Sequence, residues 1–168
     1  MLKFISNNED ETKAIGFNLA SKLNKKDIVI LTGDLGSGKT KFTEGFLSYF
    51  GLEDEISSPT FTIVNEYSKN DINIYHFDVY RLEDLDEFYA IGGTDYFDNG
   101  ICLIEWGELI EPILSKYIKI NISKDSENEN IRYITLENID KEGQKAWKYL
   151  QFQHLQAMPL FAYLKTIN

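Results

Sequence analysis

The feature that most constrains this chain is a glycine-rich octapeptide, Gly33-Asp34-Leu35-Gly36-Ser37-Gly38-Lys39-Thr40, placed directly after the run IVILT at 28–32. Five consecutive apolar or β-branched residues fit a strand buried on both faces. The segment 39–50 that follows reads as a helix, with Gly51 as its stop. The octapeptide matches G-x-x-x-x-G-K-[ST] in the strand-turn-helix setting its mechanism requires. Its glycines let backbone amides wrap phosphates, and the helix offers the positive end of its dipole. Lys39 can then reach the β- and γ-phosphates of a nucleotide, and the Thr40 hydroxyl can ligate Mg²⁺. The blander alternative is a turn with a solvated lysine. The buried strand before it and the helix after it favour the nucleotide, so ATP and Mg²⁺ are the expected ligands.

The rest of the chain alternates strand-like and helical segments. Residues 2–5 read as a short strand, and Ser6-Asn7-Asn8-Glu9 as a capping box. It opens a helix with Ile15, Leu19 and Leu23 on one stripe, ending near Asn24. Runs at 61–67 and 72–78 flank the polar stretch 68–71, a hairpin signature, and 83–91 reads as helix. ICLIE at 101–105 is a further buried strand, and 117–123 and 131–137 are strands around the polar loop 124–130. This order predicts an α/β fold, a mixed β-sheet flanked by helices of the P-loop NTPase kind. With 168 residues, 43% of them hydrophobic, one domain suffices, taken as 1–150 with a helical tail at 151–168.

Charge narrows the partners. A net charge of −10 argues against unaided binding to DNA, RNA or an anionic membrane surface, because each phosphate contact needs a local cation. Cys102 is the one cysteine, so no internal disulfide or Cys-based zinc site is possible. MLKFISNNEDET lacks the basic-then-apolar order of a signal peptide, and no apolar run approaches the roughly 18 to 20 residues of a membrane span. The expected location is the cytoplasm.

A nucleotide loop of this kind needs a second acid to complete the magnesium shell or polarise water, usually at the end of a neighbouring buried strand. Glu105 ends ICLI and Asp78 ends INIYHF, and both are candidates. His76 and Asp78 share a strand face, but one His and one Asp make an incomplete metal site. A histidine that orients a neighbour or packs in the sheet fits better. Trp106 either borders the nucleotide or is a core aromatic. Cys102 reads as a small apolar filler, and the acidic cluster 83–87 as a solvated helix face.

Taken together, GDLGSGKTKF, SSPTFTIVNEY, YHFDVYRL and LIEWGE, in this order and spacing, resemble the TsaE (YjeE) family, with likeness extending over about residues 1–137. The resemblance implies a bacterial ATPase that acts with TsaB and TsaD in making threonylcarbamoyladenosine in tRNA. Such an ATPase is slow alone, stimulated by its partners, and touches tRNA only through the complex. It implies that Lys39 and the loop through Thr40 bind phosphate, that Thr40 and Glu105 form the magnesium set, and that Asp78 lies near the γ-phosphate. Ser58-Pro59-Thr60 would be switch-like, Trp106 close to the nucleotide and Arg132 a contact to it, with Glu9 and Thr12 bordering the adenine. Lys41 departs from the family, which usually has a further threonine or similar small residue there. The competing reading is a small-molecule or nucleotide kinase, disfavoured because Arg81 and Arg132 are the two arginines available for a phosphate-clamping lid.

Overall fold

A computed structural model describes residues 1–55 and 57–141, so the expected tail at 151–168 lies outside the described residues. The elements are β1 (Leu2–Ser6), α1 (Glu9–Ala20), β2 (Ile28–Thr32), α2 (Lys39–Tyr49), β3 (Val64–Lys69), β4 (Ile72–Asp78), α3 (Leu85–Ala90), β5 (Ile101–Glu105), β6 (Lys116–Lys124) and β7 (Arg132–Asp140). Among them they form one seven-stranded mixed sheet of order β1-β7-β6-β2-β5-β4-β3. Its centre, β6-β2-β5-β4, is parallel, and antiparallel pairs β7/β1 and β3 close the two sides.

Strand β2 is buried at all five positions. Val29 and Leu31 enter the core beneath α1 and α2 with Phe42, Phe46 and Leu103. Ile28 and Ile30 point the other way, to a second core built around Phe77, Phe88, Cys102 and Ile104. Burial on both faces explains why this strand reads as an unbroken apolar run. On the first face α1 and α2 approach closely: a Cβ at Gly16 would lie 2.2 Å from the Phe42 carbonyl oxygen, and one at Gly45 1.9 Å from that of Lys13. The second face is covered by α3 and by 3-10 turns at Gly93–Tyr96, Gly107–Leu109 and Glu111–Ile113.

Three local expectations need correcting. Helix α1 is capped by Asn8, whose Oδ1 accepts from Glu11 N at 2.9 Å while Glu11 Oε2 accepts from Asn7 N at 2.8 Å. Ser6 instead ends β1, bonded to Thr12 Oγ1 at 2.7 Å, so the box sits two residues later than predicted, and the helix also stops earlier, at Ala20. The strand expected at 61–67 starts at Val64, because Ile63 N turns back to Pro59 O at 2.7 Å and Ile63 takes φ 68°. The hairpin is tighter than the polar stretch suggested: Asn70 and Asp71, both at positive φ, alone join β3 to β4. In the acidic cluster, Asp84 and Glu87 cap α3, with Asp84 Oδ1 accepting from Glu87 N and Glu87 Oε2 from Glu83 N.

Candidate functional site

The carboxyl ends of β2, β4 and β5 open onto one cleft of about 540 Å³. In open α/β sheets this edge is where ligands bind, since the strands end there and the loops are free to carry side chains. From Thr32, whose hydroxyl is tied to Ile120 O and Asn121 Oδ1 of β6, the chain leaves the sheet at Gly33. Gly33 has φ 133°, and a Cβ there would fall 2.1 Å from the Ile122 carbonyl oxygen, so no larger residue fits. Gly38, also at positive φ, is the N-cap of α2 and provides no side-chain cap. The first amides of that helix are therefore left for something other than a capping side chain.

Lys39 is 6% exposed. Its ammonium donates to Gly33 O at 2.6 Å and Asp34 O at 3.0 Å and lies 3.7 Å from the Trp106 ring centroid. Burial pulls its pKa below the usual lysine value, outweighing the opposing pull of Glu105, Glu108, Asp78 and Asp34. Ser37 is buried with its hydroxyl lacking a hydrogen-bond partner, while Leu35 and Thr40 are exposed on the cleft. Of the loop, Leu35, Gly36, Gly38, Lys39 and Thr40 line the cleft, and Gly33, Asp34 and Ser37 do not.

The two candidate acids are register neighbours, Asp78 closing β4 and Glu105 closing β5. Asp78 Oδ2 accepts from Thr60 Oγ1 at 2.8 Å and Oδ1 from Tyr80 N at 3.1 Å, which ties the 57–63 segment to the sheet. Thr60 is bonded in turn to Ser58 at 2.7 Å. Glu105 Oε1 is met by Thr43 Oγ1 at 3.1 Å and His76 Nε2 at 2.9 Å, so His76 holds a neighbouring carboxylate and is not paired with Asp78. Among the described residues no three His, Cys, Asp or Glu side chains converge as a metal set. A magnesium ion needs no such cage, because it keeps several waters and takes one or two carboxylates plus phosphate oxygens. The Thr40 hydroxyl and Glu105 carboxylate on the same cleft suit that chemistry, and the uncapped α2 amides with Lys39 suit phosphate.

Trp106 is half-buried. It takes φ 59°, donates its backbone N–H to Leu31 O at 3.0 Å, and packs its ring on Tyr80 with centroids 4.9 Å apart while lining the cleft. It is thus both a packed aromatic and a wall of the site. The outer rim brings in the more distant candidates: Glu9 and Thr12 from α1, and Arg132 from β7, which lies beside Gly38 and donates to the Glu129 and Ile131 carbonyls. Lys41 joins this rim, reaching Glu44 at 3.1 Å and Glu9 at 3.4 Å, so the position that departs from the family ties α1 to α2. Sequence reasoning missed Thr43, one helical turn beyond Lys39, and the rim residues Asn8, Glu129 and Asn130. The i, i+4 spacing from Lys39 places Thr43 on the same helix face and was the available signal.

Residues 6–134 match the family model described as threonylcarbamoyl adenosine biosynthesis protein TsaE. The tRNA threonylcarbamoyladenosine biosynthesis protein TsaE of Rickettsia conorii is 36% identical over 156 residues, covering 92% of this chain and 87% of that protein. The Bacillus subtilis protein of the same name is 42% identical over 130 residues, covering 76% and 81%. A crystal structure of Bacillus subtilis YdiB superposes with a TM-score of 0.66 at 32% identity, covering 99% of this chain and 96% of that one. With the family model spanning most of the chain, this protein belongs to the TsaE family of tRNA threonylcarbamoyladenosine biosynthesis.

Proposed function

We propose that this protein is the Mg-ATP-binding ATPase subunit of the tRNA threonylcarbamoyladenosine machinery, working in the cytoplasm with TsaB and TsaD and resetting their complex by hydrolysing ATP. The observation that carries the reading is the convergence of Lys39, Asp78 and Glu105 at the carboxyl edge of β2, β4 and β5, beside an uncapped helix start. Lys39 supplies the cation for the β- and γ-phosphates, and the amides of 35–40 supply the donors. Thr40 and Glu105 would hold a magnesium ion, which when bound neutralises phosphate charge and polarises the bond to be broken. Asp78, whose carboxylate is bonded by Thr60 and the Tyr80 amide, would orient the attacking water at the γ end. Trp106 walls the phosphates, Arg132 adds a cation at Gly38, and Glu9 and Thr12 border the base.

An acidic surface supports a route to tRNA through partners rather than direct contact. The test is steady-state ATP hydrolysis by the full chain, alone and with TsaB–TsaD. Slow turnover alone and a rise in the complex are expected. ATP binding with no rise would turn attention to the kinase alternative, for which acceptors would then be screened. Neither arginine favours that alternative: Arg81 lies 5.6 Å from the exposed Phe61 ring and Arg132 bonds to its own hairpin.

A further inference from the structure

Register and alternation put His76 and Asp78 of β4 and Glu105 of β5 on the sheet face covered by α2. On that face two side chains from different elements end on one atom. Thr43 Oγ1, from α2, donates to Glu105 Oε1 at 3.1 Å, and His76 Nε2, from β4, lies 2.9 Å from the same oxygen. Thr43 and His76 are each 2% exposed, so both contacts are shielded from bulk water. A neutral imidazole carrying its proton on Nε2 would donate to that oxygen. The other ring nitrogen, Nδ1, is then buried with no hydrogen-bond partner. A buried unsatisfied nitrogen is a cost that an apolar residue of similar size would avoid, so core packing alone does not account for a histidine here.

We propose that His76 and Thr43 are positioning residues: they pin Oε1 of Glu105 between strand and helix and so leave Oε2 to face the cleft. Among the described residues no hydrogen bond falls on Oε2, and Glu105 lines the cleft. This rests on the reading of Glu105 as the magnesium and hydrolysis carboxylate. Because Thr43 lies one turn after Lys39 on α2, the clamp also fixes the distance between the carboxylate and the glycine-rich loop.

Two measurements on the full chain test it. Nitrogen-15 NMR of the histidine rings should find the His76 proton on Nε2; a ring protonated on Nδ1 alone overturns the clamp. His76→Phe and Thr43→Val should each lower kcat for ATP hydrolysis about tenfold or more, with ATP affinity by calorimetry unchanged within about threefold, and His76→Gln, which keeps a donor, should restore most of the rate. In a Glu105→Ala background His76→Phe should add no further loss, whereas additive losses indicate a purely structural role and overturn the proposal. Wild-type hydrolysis by Glu105→Ala removes Glu105 from the mechanism and the clamp with it. An inactive Glu105→Ala beside fully active His76→Phe and Thr43→Val removes the clamp alone. Should His76→Phe fail to fold, the ring tautomer, His76→Gln and Thr43→Val decide.

Discussion

One wall of the cleft is held by packing and the other chiefly by hydrogen bonds. On the first, the glycine-rich loop is anchored between β2 and α2, and α2 is wedged against α1 where Gly16 and Gly45 leave no room for a Cβ. The second wall, 57–63, hangs on Thr60 to Asp78, Asn65 to Ser57 and Ile63 to Pro59, while Phe61 is 88% exposed. Close packing makes an element stiff and intolerant of added volume, whereas a segment with few buried contacts opens at little cost. The two flanks of the loop that would meet phosphate are thus held by packing, whereas the segment that touches Asp78 rests on a few hydrogen bonds.

The largest effect should come from breaking the packed wall. Gly45→Val places a Cβ against the Lys13 carbonyl and should cost roughly 3 kcal/mol or more, read as a fall in Tm, while Phe61→Ser should stay within about 0.5 kcal/mol. Equal tolerance at both sites would remove the contrast. Next, Lys39→Ala should weaken ATP binding by about 100-fold or more, equivalent to roughly 2.7 kcal/mol; unchanged affinity in calorimetry would contradict the site. On the second wall, Thr60→Val deletes one of the two hydrogen bonds to the Asp78 carboxylate. It should lower hydrolysis about tenfold with folding stability changed by no more than about 1.5 kcal/mol, and an unaltered rate would detach the segment from catalysis.

The smallest effect is electrostatic. Burial raises the Glu44 pKa, but hydrogen bonds from Lys13 and Lys41 outweigh it and hold the carboxyl below its usual value. A depressed folded-state pKa means stability present above the ordinary carboxylate pKa and lost as pH falls through the folded value. Glu44→Gln should therefore cost at most about 1 kcal/mol at neutral pH and nothing at low pH. A cost that grows on acidification would reverse the assignment. Cys102, whose thiol is pushed up to about 12 by burial, should resist thiol reagents until the chain unfolds.

Much of the packed wall is legible in the sequence because its signals are local. IVILT, GDLGSGKT and ICLIE fix two buried strands and a loop within a few residues each, and Asp78 and Glu105 fall at strand ends as the apolar runs before them indicate. The hydrogen-bonded wall is not legible in this way. Nothing in FTIVNEY signals that Ile63 turns back on Pro59, because the deciding bonds reach from Thr60 to Asp78 and from Asp78 N to Ile63 O, across the sheet edge. The strand order is equally hidden, since β1 pairs with β7 and β2 lies between β5 and β6, all pairings of segments far apart in the sequence. Thr43 escaped notice for the same reason: its partner is 62 positions away.

The central claim is that nucleotide turnover at this cleft sustains the tRNA modification. The measurement that tests it most directly is threonylcarbamoyl transfer to tRNA over many turnovers by TsaB–TsaD, with this protein or its Lys39→Ala variant. Continued turnover with the wild-type chain and arrest with the variant is the predicted result. Equal product from both would contradict the account.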